Sequence, residues 1–279
     1  MDWSGITNNL NNGLQEFNKR YQEIIEIITS PIQSYKGGTI FDAVDTINGA
    51  IKTVGYSLLV IFCLVGIVKM STSLQDMKRP EQIFRFFLRF AIGKAIIDFG
   101  MPIMLEIFNV GLGVVNTMAS SVQSASTFTV PPDIVSTVNN ITGLFEGLFP
   151  YLVSFLGNLI ITAISMVILL TVYGRFFKLY MYLAIAPIPL ATFAGEGTSQ
   201  IGQTFIKSFM GVCLEGALIV LACIIFERYT AIAPPGAGTA TGADAASVIF
   251  AYMGQNIFNM LVLLGVIKMC DRLVKEMGF

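Results

Sequence analysis

Apolar residues gather in long runs separated by short polar stretches. Mainly apolar runs over residues 54–70, 90–119, 148–172, 208–226 and 248–269 predict five membrane-spanning helices. The run over 148–172 carries no charge at all. A basic hinge follows it, Gly174-Arg175-Phe176-Phe177-Lys178. Beyond the hinge, a second apolar run over 179–194 is broken by Pro187 and Pro189.

Residues 1–46 follow a different rhythm. Leu14, Phe17, Tyr21, Ile24, Ile25, Ile28 and Ile32 recur at helical spacing, with Gln15, Lys19, Gln22, Glu23 and Glu26 opposite. This predicts an amphipathic helix ended near Pro31 or by Lys36-Gly37-Gly38. Its polar face holds few cations, so docking on a partner or on its own bundle is favoured over lying in the membrane interface. The domain reading is an extracytoplasmic N-terminal segment over 1–46 and a transmembrane helical domain over 47–279.

Composition agrees with the pattern. The 279 residues are 54% hydrophobic and 13% charged, against about 25% charged in soluble domains. Such a chain cannot cover a soluble surface, so the fold class is all-α, a polytopic membrane protein. The net charge of −1 gives no argument for nucleic acid. There is no histidine, which removes the commonest general base and transition-metal ligand. Cys63, Cys213, Cys223 and Cys270 lack metal-ligand spacing and read as packing residues. No phosphate-binding loop, carboxylate dyad or nucleophile elbow is present. No cofactor, metal or enzymatic activity is expected.

The second run is unusually polar for a span. Lys94 and Asp98 are four apart and can pair. Glu106, Asn109, Gly113 and Asn116 fall on one face. A carboxylate at bilayer depth normally faces protein or water. With Glu215 in the fourth run, these polar groups form the candidate pore or subunit-interface set: Lys94, Asp98, Glu106, Asn109, Asn116 and Glu215. The plainer alternative is a polar seam between helices of one bundle. Aromatics interleave the cations of residues 78–89, where an anchor at the lipid headgroups is favoured over a nucleic-acid platform.

Cation placement orders the spans. If the proline-broken run is re-entrant, five spans put twelve of the seventeen Lys and Arg residues at or near one side. Lys78, Arg79, Arg85, Arg89, Arg175, Lys178 and Lys207 are the topology-setting cations of that side. Cytoplasmic loops carry such an excess, so the N-terminus is expected outside and the C-terminus in the cytoplasm. Pro187 and Pro189 remove two helical hydrogen bonds within one turn, which also favours a re-entrant or kinked segment over a plain sixth span.

The Arg-Phe-x-Lys-Leu-Tyr hinge, the Ala-Pro-Ile-Pro-Leu segment after it, the exported central loop and the short basic tail together resemble a known family. They are similar to the TrbL-like polytopic subunits of type IV secretion and conjugation machines, in the short form of Gram-positive elements. The resemblance implies a non-catalytic subunit of the cytoplasmic (inner) membrane. It further implies a ring-like homo-oligomer, a pentamer being one such ring, working with other channel subunits and cytoplasmic ATPases. The translocated substrate would be protein or a DNA–relaxase complex. A self-contained ion or small-solute channel is the rival reading of the same polar spans.

Overall fold

The computed structural model describes residues 3–71, 80–120, 128–141, 143–195, 197–232 and 245–278. It is all-α, with no strand among the described residues. The helices are α1 (Ser4–Thr29), α2 (Thr39–Ser71), α3 (Pro80–Asp98), α4 (Gly100–Ala119) and α5 (Pro132–Asn139). They continue as α6 (Leu144–Ile185), α7 (Pro187–Ala191), α8 (Ser199–Ile232) and α9 (Ala245–Glu276). The protein is a polytopic α-helical membrane protein. Among the described residues, four stretches are long and apolar enough to cross a bilayer: Tyr35–Val68, Gly100–Ala119, Glu146–Ile185 and Ser199–Ile232. The expected last span over 248–269 lies in α9, which is not among those four.

Two helices depart from the sequence expectation. The single helix expected through residue 119 is interrupted at Phe99, giving α3 and α4. Pro102 explains the break, because it removes the N–H that would bond the Asp98 carbonyl. Conversely, the expected basic hinge is no hinge: α6 runs unbroken for 42 residues through Gly174 and Lys178. One glycine costs a helix only about 1 kcal/mol, and Arg175 finds buried partners there. The helix stops at Ile185 because Pro187 cannot donate to Leu183.

The chain folds as two compact units. One comprises Met1–Thr29, Val115–Gly174 and Leu218–Arg272. Residues 3–29 therefore dock on their own chain, whereas the remainder of the expected 1–46 segment belongs to the other unit. The apolar stripe of α1 is buried at Leu10, Leu14, Phe17, Tyr21, Ile24 and Ile28. α1 runs alongside α6 in the same direction. Asn9 Nδ2 donates to Ser154 Oγ at 3.3 Å near one end, and Tyr173 Oη donates to Glu23 Oε1 at 3.1 Å near the other. Gly5 and Gly13 permit the approach, since a Cβ there would lie 3.0 Å from Tyr151 and from Asn158. Asn18 exchanges two hydrogen bonds with the Phe128 backbone, at 2.9 and 3.1 Å. The Phe128 ring meets Phe17 and Phe226 at 5.4 and 5.9 Å between centroids. Tyr21 Oη donates to Glu227 Oε1 at 2.8 Å.

The second unit comprises Ser30–Val114, Arg175–Ala217 and Leu273–Phe279. Here α2 and α3 both pack on α7 and on the 3-10 turn Thr192–Ala194 that follows it. The proline-broken segment is thus the centre of this unit rather than a connection.

Candidate functional site

The site is built around the carbonyls that prolines leave open. In a regular helix the Leu183 carbonyl accepts from residue 187, but Pro187 has no N–H. Asn48 of α2 replaces that donor: its Nδ2 lies 2.7 Å from the Leu183 oxygen, and the side chain is buried. The same helix supplies a second substitute one turn on. Pro102 frees the Asp98 carbonyl, and Lys52 Nζ lies 3.5 Å from it. Asn48 and Lys52 are four apart, on one face of α2. One helix face therefore answers two proline breaks in two other helices.

The approach is close. A Cβ on Gly55 would fall 2.9 Å from the Pro187 carbonyl oxygen. A Cβ on Gly93 would fall 2.7 Å from Leu59 and 2.9 Å from Ala194. Beyond α7, Thr192 Oγ1 donates to the Pro189 carbonyl at 2.6 Å, and Thr198 Oγ1 to the Thr192 carbonyl at 2.9 Å. Pro187 is buried and Pro189 half-buried. Backbone that leaves the helical pattern is here enclosed by protein, as a low-dielectric setting demands.

Asp98 does not pair with Lys94. Its carboxylate instead accepts from Tyr56 Oη of α2, and Lys94 is exposed. Asp98 ends α3, where Lys52 and Tyr56 of α2 both reach it.

Arg175, one of the topology-setting cations, is buried inside the protein. It is 5% exposed; Nε donates to the Val212 carbonyl at 3.0 Å and Nη2 to that of Cys213 at 3.3 Å. Gly216 leaves room for the guanidinium. Glu215, also buried, acts on Arg175 electrostatically. The sequence offered one signal for this contact, a carboxylate and a glycine side by side within an apolar run.

The polar face of α4 is on the outside. Glu106, Gly113 and Asn116 are exposed and Asn109 is half-buried. An apolar groove of about 700 Å³ flanks Glu106, lined by Ile92, Phe99, Pro102, Ile103 and Val110. Of the remaining cations, Arg89 and Lys207 are exposed and Lys178 is half-buried. Arg85 lies on α3, and Lys78 and Arg79 fall outside the described residues. The structure thus joins Asp98 to the proline segment through α2, joins Glu215 to Arg175, and leaves Glu106 and Asn116 on an outer face.

Long apolar helices, a proline-broken segment sealed by a neighbouring helix and an outward polar face define a polytopic membrane subunit. The chain belongs to the TrbL/VirB6 plasmid conjugal transfer-like family, whose model matches residues 17–187. That match begins within α1 and ends at Pro187, and so includes α2, the kink at Pro102 and the full length of α6. No curated protein and no solved structure matches the chain. The protein is a component of a conjugal transfer, or type IV secretion, system.

Proposed function

We infer that this chain is a non-catalytic, oligomeric channel or scaffold subunit of that system, helping DNA–protein or protein substrate cross the cytoplasmic membrane. The observation that carries the reading is the outer face of α4. Its Glu106 and Asn116 are exposed on a helix long and apolar enough to span a bilayer. A carboxylate facing lipid is costly. Contact with further subunits, or water between them, removes that cost.

Copies of the chain then meet in a ring through α4, with other channel subunits and cytoplasmic ATPases as neighbours. The proline-broken segment is kinked at the cytoplasmic end of α6, and Asn48 makes its broken backbone tolerable there. The N-terminus lies outside. In support, Trp3 packs against Gly147, which follows a stretch without Lys or Arg.

The test is complementation in cells whose copy of the protein has been removed. Transfer should be lost, and restored by the natural chain but not by Glu106→Leu/Asn116→Leu. Copurification from membranes should bring down a transfer ATPase. Selective solute flux from the purified protein alone, with transfer unaffected by its removal, would instead make it a self-contained channel.

A further inference from the structure

Two stripes of opposite character run side by side along one unit. On α6, Leu148, Leu152, Phe155, Leu159, Met166 and Leu170 are exposed at 44–62% of their surface. Their spacing of three, four and seven marks a single helix face. An exposed leucine alone means little, but a continuous apolar stripe on a span-length helix faces lipid. On α1, the exposed positions beyond its first residue, Ser4, are Asn8, Asn12, Gln15, Lys19, Gln22 and Glu26. These also fall at alternating spacings of four and three, and not one is apolar.

The two stripes lie at the same level. α1 is held to α6 from Tyr151 and Ser154 down to Asn158 and Tyr173. From Gly5 to Glu23 this covers about 27 Å of helix axis, close to the thickness of a hydrocarbon core, about 30 Å. A row of amides and charges of that length cannot face acyl chains. The chain packed beside that stripe says the same. Residues 128–131 are irregular backbone lying against α1 through Asn18. Short α5 packs on α1 too, and it exposes Asp133, Ser136 and Asn139. Irregular backbone at bilayer depth is tolerated beside water or inside protein.

We propose that α1 lies lengthwise at membrane depth and that its stripe from Asn8 to Glu26, with the polar side of α5, lines a water-filled path. The α6 stripe faces lipid at the same depth. The N-terminal helix is then the hydrophilic wall of the channel rather than an appendage outside it. The wall is nearly neutral: amides dominate it, and Arg20 is held between Glu16 at 2.7 Å and Glu23 at 3.1 Å. It suits a polar translocated chain of either charge and gives no strong grip on an anion. The proposal deepens the channel reading and rests on it. Its test reads local environment and not transfer, so either can fail alone.

The experiment uses the full chain in phosphatidylethanolamine–phosphatidylglycerol liposomes. Single nitroxides are placed at Asn12, Gln15 and Gln22 on α1, and at Leu152, Leu159 and Met166 on α6, after replacing the four cysteines by alanine. Collision with a water-soluble nickel chelate should dominate on α1, and collision with oxygen on α6. Oxygen dominance on α1 would overturn the proposal, because the stripe would then face lipid. Nickel dominance at both would overturn it as well, because the whole unit would stand outside the bilayer. The unaltered chain gives an independent reading if the cysteine-free form does not fold. A bilayer-soluble carbene probe should modify α6 over residues 148–170 and spare α1, whereas an impermeant amine reagent should modify Lys19. Carbene modification of α1, or none on α6, contradicts the assignment.

Discussion

The guanidinium of Arg175 occupies the space that a side chain on Gly216 would need. A Cβ there would sit well inside van der Waals contact with Nη2 and Cζ. The arginine is held by the Val212 and Cys213 carbonyls of the same helix. Gly216→Ala should therefore destabilise the protein by about 1–3 kcal/mol through overpacking. Helix propensity alone predicts the opposite sign, a gain of about 1 kcal/mol. Thermal unfolding in detergent decides between them, and a neutral or stabilising alanine would refute the packing account.

The Asn48–Leu183 bond exists because Pro187 cannot make it. Asn48→Ala should cost about 1–3 kcal/mol, the penalty for an unsatisfied buried carbonyl. In a Pro187→Ala background the helix can supply its own N–H, so the same substitution should cost clearly less. A double-mutant cycle measures this coupling. Equal costs in both backgrounds would show that Asn48 acts through something other than the broken helix.

Asp98 gives a contrast between two neighbours. Tyr56→Phe removes a hydrogen bond to a charged group and should cost about 1.5–3 kcal/mol. Lys94→Gln, on an exposed side chain, should stay within about 0.5 kcal/mol. Reversal of that order in unfolding measurements would restore the Lys94–Asp98 pair that sequence spacing suggests.

Trp3 is the chain's single tryptophan and packs on Gly147. Gly147→Val should push the indole off α6. Tryptophan emission should move to longer wavelength, with little change in helical circular dichroism. An unmoved emission maximum would mean that the start of α1 is not seated there.

Much of the fold was legible because membrane spans and amphipathic helices are periodic. Leu14, Phe17, Tyr21, Ile24 and Ile28 were expected on one face of α1 and are buried together. The break at Pro187 was legible because proline chemistry is local. The break at Pro102 had the same local signal, beside Gly100, and was masked by the apolar run around it. The contacts that make the breaks tolerable were not legible. Asn48 meets Leu183 across 135 positions, and Lys52 meets Asp98 across 46. Nothing local distinguishes an amide that serves a distant carbonyl from one that faces water. The burial of Arg175 was not legible for the same reason, since its acceptors lie on α8, 37 and 38 positions away.

The central claim is that the chain works as an assembled subunit whose copies meet across α4. Disulfide crosslinking in native membranes tests it most directly. Cysteines at Glu106, Asn109 and Asn116, in a chain whose own four cysteines are replaced, should yield crosslinked multimers of the chain. Cysteines at Leu159 and Leu170, on the lipid-facing stripe of α6, should yield none. Monomer alone from all three α4 positions, in membranes that still support transfer, would contradict the account.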